Sequence, residues 1–349
     1  MLQRLNNAQS TNSSINANLD SWQKIESKFN KGGILLGNGF SCAVWNKFGY
    51  SSLYEKACSE DGEVQNPLSS EDKQLFNSMN TRNFERILSI LSSTSAVNKI
   101  FGQDYELFNN RYEHIKTALG EAVRAVHVPW NRVDKQVLTK IRKELKNYKY
   151  VYSTNYDLLI YWAVMSEGDG VGFKDYFWSP ERVFDITDTE VYDDSVTRIL
   201  YLHGALHLYR DPDSERTYKH TNKGFQNLLD ILNVPLFITE GSSSDKLRSI
   251  RSSDYLSFAY NRLLQHSDPL VIFGHSLGES DEHLIKAIRT GKTKKIAISI
   301  QSHHDIDKIL QKKALYLNLC NGFSHDRRPE LFFFDAATHP LGLPEIKVK

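Results

Sequence analysis

The sequence predicts an α/β fold: a Rossmann-like, mostly parallel sheet with helices on both faces and a helical insertion. Three observations predict it. Short apolar runs recur along the chain, most of them end in glycine or polar turns, and helix-compatible segments separate them. The 349 residues are 40% hydrophobic and 24% charged, ordinary for a chain that buries one substantial core.

Residues 1–20 are rich in Asn and Ser and read as a flexible or loosely docked arm, leaving 21–349 as the folded domain. GGILLGNGFS at 32–41 gives a buried strand running into a glycine turn. Residues 42–147 then read as the helical insertion. In it, 51–58 and 71–79 look helical, and NFERILSILSS places Phe84, Ile87, Leu88 and Leu91 on one helical face. Pro129 separates the last two helices, because it lacks an amide donor and disfavours a helical residue before it. From Tyr148 the strand pattern returns: YKYVYSTNYD, SVTRILYLHG (195–204), VPLFITEG (234–241), the strand at 270–274 with a helix from about 281, KKIAISI (294–300) and ELFFFD (330–335).

Composition excludes some functions. Forty-three basic against 42 acidic residues leave a formal charge of +1, so no global field points to nucleic acid. No apolar run reaches the ~20 residues that cross a bilayer, and the first residues lack a secretory signal, so no membrane is expected and a cytoplasmic location is. Cys42, Cys58 and Cys320 are too few and too scattered for a disulfide framework or a structural zinc site.

In a parallel sheet the loops beyond the strands' carboxyl ends form the ligand crevice. Four polar signatures sit there. Gly37-Asn38-Gly39-Phe40-Ser41 follows the first strand; its glycines permit close backbone approach, and Ser41 could cap the next helix or donate to a phosphate. The alternative is a plain strand-to-helix turn. No GKS or GKT follows, so it is not a Walker loop, and it lacks the dehydrogenase spacing. Thr154, Asn155 and Asp157 end STNYD, where Asn and Asp can bond ribose hydroxyls or orient water; capping of a helix from Leu158 would explain Asp157 but not Asn155. His203 and Gly204 end ILYLHG, a histidine able to accept a proton and a glycine leaving room beside it. His207 lies four residues on without carboxylates at ligand spacing, so no metal is expected. Glu240 could bind a ribose diol with Ser242 to Ser244 nearby, and Asp281 could be a helix cap or a contact. KDYFWSPERVF (174–184) reads as a lid or as cover for a core edge, SSSDKLRSIRSS as a solvated basic helix, and Glu85 as a pocket or surface charge. His303 and His304 read as surface.

Together these residues resemble the sirtuin superfamily over most of 30–300. The turn at 37–41 is similar to its first phosphate loop, Asn155 and Asp157 fall at its Gln-Asn-Ile-Asp element, and His203-Gly204 matches its His-Gly pair. Phe273-Gly274-His275-Ser276 resembles its later nucleotide loop, with Glu279, Ser280 and Asp281 continuing it. The four-cysteine zinc module and the acyl-peptide groove are absent, so deacylation is not the first expectation. NFERIL (83–88) resembles an element of zinc-free bacterial relatives that consume NAD in anti-phage defence. The resemblance implies NAD as substrate, cleavage to nicotinamide and ADP-ribose, Asn155, His203 and Asp157 as catalytic residues, and Gly37 to Ser41, Thr154, Gly204, Glu240, Gly274, His275 and Ser276 as nucleotide contacts. It also implies an activating defence partner; the long helices between 82 and 147 could pack across a homo-oligomer interface or complete the monomer's core. A non-catalytic NAD or ADP-ribose sensor and a zinc-free deacylase remain the alternatives.

Overall fold

The apolar run Ile34-Leu35-Leu36 is buried throughout and forms β1 (Gly33–Leu36), the continuous burial a central parallel strand requires. The computed structural model describes residues 16–167, 170–187, 195–211, 213–220, 235–238, 242–303, 305–323 and 328–348. β1 lies between β2 (Tyr150–Ser153) and β8 (Leu270–Phe273), with Leu36 opposite both Ser153 and Phe273. β3 (Phe173–Lys174), β4 (Thr197–Tyr201), β9 (Lys295–Ile300) and β10 (Glu330–Asp335) complete a seven-stranded sheet in the order β10-β9-β8-β1-β2-β4-β3. Its pairings are all parallel. The chain moves outward from β1 through β2 on one side and from β8 through β9 on the other. The strand order therefore reverses between β1 and β8, where a crevice opens beyond the carboxyl ends.

Helices cover both faces of this sheet. Between β1 and β2 the chain builds α2 (Asn38–Val44), α3 (Tyr50–Ala57), α4 (Ser70–Ser78), α5 (Phe84–Ile100), α6 (Glu106–Val126) and α7 (Lys135–Leu145). The excursion begins at Asn38, four residues before the expected 42. Ser69 and Asp72 cap α4 reciprocally, and the Asn83 side chain accepts from the Arg86 N–H to start α5. Phe84, Ile87, Leu88 and Leu91 are buried as the helical spacing requires, and α5 and α3 both pack on α6. Pro129 separates α6 from α7, whose first turn is capped by Asp134.

The expectation that VPLFITEG adds a strand to the main sheet is corrected. β5 (Gly204–Arg210), β6 (Thr217–Lys219) and β7 (Pro235–Phe237) form a separate antiparallel sheet in the order β6-β5-β7. Gly204 makes the reversal after β4: its φ is +81°, and a Cβ there would meet the Leu236 carbonyl oxygen at 2.0 Å. Residues 174–184 are not a lid over the site. Tyr176 and Phe177 are buried, packing on Phe258 at 4.6 Å and Tyr255 at 4.9 Å from α10 (Asp254–Leu264), so they cover a core edge.

α8 (Leu159–Met165) follows β2, α9 (Ser243–Ser252) precedes α10, α11 (Glu282–Thr290) joins β8 to β9, and α12 (Ile306–Cys320) joins β9 to β10. A short helix α1 (Trp22–Ile25) precedes β1. Asp20 pairs with Phe334, and the Lys313 ammonium donates to the Asn16 and Asn18 carbonyls, so the described end of the amino-terminal segment is docked against β10 and α12. The residues before Asn16 lie outside the described residues. Among the described residues no helix is long and apolar enough to cross a membrane.

Candidate functional site

The two glycine loops at the strand-order reversal are built against each other. The Gly37 N–H donates to the Phe273 carbonyl (3.0 Å) and the Gly39 N–H to the Gly274 carbonyl (2.8 Å). A Cβ on Gly39 would lie 2.7 Å from the Gly274 Cα, and one on Gly274, where φ is +66°, 2.4 Å from the Phe40 nitrogen. Glycine is required here by loop-to-loop contact. The Phe40 N–H also closes back on the Gly37 carbonyl (2.9 Å). The amides of Gly37, Gly39 and Phe40 are thus spent within the loops, and Phe40 itself is fully buried.

Ser41 lies inside α2, whose N-cap is Gly37, so it does not cap that helix. It sits at 0% exposure in a polar network. Its hydroxyl donates to Oδ2 of Asp157 and accepts from Nδ2 of Asn155 at 2.7 Å; the same Nδ2 donates to the Gly37 carbonyl at 3.0 Å. Oδ1 of Asp157 accepts from the Leu159 N–H at 2.9 Å, which helps start α8. Burial holds the Asp157 carboxyl above its ordinary pKa, against the Ser41 bond. Both protons of the Asn155 amide are therefore placed, and Oδ1 is the atom it has left to offer a ligand.

His203 stands between β4 and β5, 2% exposed. Its Nε2 meets Nε2 of His283, on α11, at 2.9 Å. Nδ1 of His283 is 3.2 Å from the Ser243 hydroxyl, which also accepts from the His283 main-chain N–H at 2.6 Å. Burial lowers the pKa of His203 well below the ordinary value, reinforced by Lys246, His283 and His275; burial takes His283 down to about 4. Both rings are neutral at physiological pH. Beside them Lys246 is fully buried and pairs with Asp281 at 3.2 Å, whereas Arg248 and Arg251 of α9 stay exposed as its sequence suggests. Burial opposes ionisation of Asp281, but Lys246 and the neighbouring His275 and His283 outweigh it and keep its pKa below the usual value. Oδ2 of Asp281 lies 4.0 Å from Nε2 of His275, whose Nδ1 accepts from the Leu277 N–H.

These elements enclose a cavity of about 360 Å3. Its polar side comes from strand ends: Asn38, Gly39, Thr154, Asn155, His203, Gly274, His275 and Ser276, with Asp281. Its apolar side comes from the insertion: Tyr50 and Leu53 of α3, Phe84 of α5, and Leu119 and Val123 of α6. Gly37, Phe40, Ser41, Asp157 and Gly204 do not line it but support the loops that do. Glu240 lies outside the described residues, as do Thr239, Gly241 and His304. Nothing is described of the Glu85 side chain, and His303 is exposed. Cys42 also lines the cavity, but burial and the Asp157 charge raise its thiol to about 11, so it stays protonated.

Sequence reasoning missed His283, Lys246 and the whole apolar side. The donor atoms of His203, Asp281 and His283 lie within 4.8 Å of one another, a spacing a metal ion could bridge. The Lys246 ammonium already holds the one carboxylate of that group, which opposes a second cation there. His207 takes no part, stacking instead on Tyr161 at 4.7 Å. A larger cavity of about 600 Å3, lined by α6, β7 and α9, contains no residue predicted for the site.

A family profile described as "Domain of unknown function (DUF4917)" matches residues 34–340, from β1 past β10. The chain belongs to this family. No curated protein matches it. The DUF4917 match spans both glycine loops, Asn155, His203 and His283, so the whole cavity falls within the family's extent.

Proposed function

We propose that this DUF4917 chain is an NAD+ glycohydrolase that cleaves the nicotinamide–ribose bond. One observation carries the reading: Asn155 and His203, from the ends of two neighbouring parallel strands, line one cavity at the sheet's reversal point with the interlocked glycine loops. The sirtuin resemblance of the same residues supports it. The cavity volume, about 360 Å3, suits the nicotinamide riboside half of the dinucleotide.

In this mechanism Thr154, His275 and Ser276 face the sugar and phosphates, and the apolar side from α3, α5 and α6 receives the nicotinamide. Asn155, held by Ser41 and Gly37, presents Oδ1 to the attacking water or a ribose hydroxyl. As the C–N bond breaks, nicotinamide leaves with the bonding electron pair and the ribose carbon becomes oxocarbenium-like. Water oxygen bonds to that carbon, and neutral His203 takes its proton and returns it to solvent. The products are nicotinamide, ADP-ribose and a proton. Asp157 acts at a distance, by fixing Ser41 and through it Asn155.

The resemblance extends the reading to a cytoplasmic effector of bacterial anti-phage defence, controlled by an activating partner or by self-association. A sensor that binds NAD or ADP-ribose without cleaving it is the second reading. It is favoured by the number of site groups already bonded within the protein, notably both Asn155 amide protons. The deciding experiment is nicotinamide release from NAD by the purified chain, with Asn155→Ala and His203→Ala alongside. Release by the wild type and loss of at least ~100-fold in each variant supports the hydrolase. Saturable NAD binding without release, with candidate triggers present, makes it a sensor.

A further inference from the structure

We propose that the larger cavity, of about 600 Å3, is a second binding site that takes a small organic acid, a carboxylate carried on an apolar body, with Arg124 of α6 receiving the carboxylate. The inference is independent of the hydrolase reading, because the two cavities share no lining residue.

The apolar part of the recognition comes from β7. Leu236 and Phe237 line the cavity and are half-buried, between the buried Pro235 and Ile238. The Phe237 ring lies close against α6: a Cβ on Gly120 would stand 2.9 Å from its Cζ. Glycine inside a long helix is unfavourable on propensity alone, and here it makes room for that ring. The volume falls in the range of small-molecule sites.

The charged part comes from Arg124, one turn beyond Gly120 on the same face of α6 and half-buried. Among the described residues no hydrogen bond or ion pair reaches its guanidinium, and Nε is closed off from solvent without an acceptor. Burial works against its charge, and the acid that opposes this, Glu121, already accepts from the Asn66 N–H and from Nδ2 of Asn66, each at 2.8 Å. Arg210, the other guanidinium on the lining, is held by Glu215: its Nε donates to the Glu215 carbonyl at 3.0 Å and Nη2 lies 3.5 Å from the carboxylate. Lys116 and Glu113, also on α6, add one charge of each sign.

A shielded donor without an acceptor is a cost that native proteins rarely carry. A carboxylate in the cavity offsets it, because the planar guanidinium presents a fork of N–H groups that two carboxylate oxygens match. The apolar body of the same ligand then covers Leu236 and Phe237. Leu119 and Val123 of α6 line the first cavity instead, so either space can be blocked without filling the other.

The test titrates the full-length protein with 4-phenylbutyrate and with its neutral amide, 4-phenylbutyramide, by isothermal titration calorimetry. The carboxylate should bind saturably with a Kd of ~1 mM or tighter, and the amide at least ~10-fold more weakly. Arg124→Gln should reduce the carboxylate to the level of the amide, whereas Leu119→Trp, which fills the first cavity, should leave its affinity within about twofold. The melting temperature of ligand-free Arg124→Gln separates recognition from scaffolding: it should rise or stay within about 3 °C of wild type, since the change removes a shielded donor that has no acceptor. A larger fall makes the guanidinium a structural group and overturns the proposal. So does the absence of saturable 4-phenylbutyrate binding up to ~10 mM, or equal affinity for the amide. Binding unchanged in Arg124→Gln also overturns it, and binding abolished by Leu119→Trp does so by placing the acid in the first cavity.

Discussion

Replacing Lys246 by Met tests whether the cavity's electrostatics are set by one buried pair. Lys246 is fully buried and Asp281 is 8% exposed, at 3.2 Å. Removing the ammonium leaves a carboxylate in a site from which water is largely excluded, and breaking a buried pair of this kind costs about 3–5 kcal/mol. The assay is urea unfolding of the wild type, Lys246→Met, Asp281→Asn and the double variant near pH 8. Lys246→Met should lose about 3–5 kcal/mol, and the cycle should give a coupling of at least ~1.5 kcal/mol.

The loss should also depend on pH in a definite direction. In the wild type the Asp281 pKa is held below its unfolded value, so its contribution is present above the ordinary carboxylate range and fades as pH falls through the folded value. Without Lys246 the burial term dominates, the pKa of Asp281 rises, and protonation relieves the unpaired charge. The gap between wild type and variant should therefore narrow below about pH 5. A variant within about 1 kcal/mol of wild type at pH 8, or additive single changes, would refute the claim that this pair organises the site.

Two further predictions probe the roof and the support. Leu119→Trp fills the cavity from α6; its melting temperature should stay within about 3 °C of wild type while the thermal shift produced by NAD disappears, and a retained shift would place the ligand elsewhere. His127 accepts the Leu158 N–H at Nε2 (2.9 Å), and burial lowers its pKa to about 4, so the unfolded chain binds the extra proton first. Its contribution is whole above about pH 6.5 and is lost as pH falls toward 4, up to ~3 kcal/mol; in His127→Asn the slope of unfolding free energy against pH over that window should be shallower by about one proton.

What was legible in the sequence follows from how each signal is encoded. Parallel strands buried on both faces announce themselves as apolar runs, so β1, β2, β4, β8, β9 and β10 could be read with their polar ends, and with them Asn155 and His203. The antiparallel sheet could not: β5 continues from the His203-Gly204 turn without a break in apolar character, and only the positive φ at Gly204 reverses it. Lys246 illustrates another limit. In a stretch of serines and charges it reads as solvated, because the sequence does not say that Asp281, 35 positions later, arrives opposite it in the core.

The roof of the cavity was illegible for a different reason, and that reason bears on the function. Of Tyr50, Leu53, Phe84, Leu119 and Val123 the sequence marks only Phe84 as lying on an apolar helix face, and a helix packed on the core and one lining a cavity both need such a face. Only the meeting of α3, α5 and α6 above the strand ends leaves a space between them. Most of the polar floor stands at the ends of the parallel strands, whereas the roof, and Asn38 and Gly39 at the floor's edge, belong to the insertion between β1 and β2. The polar and apolar sides of the cavity thus come largely from separate parts of the chain. Substitutions in α3, α5 or α6 are therefore expected to reshape the cavity while Asn155 and His203 keep their places at the strand ends.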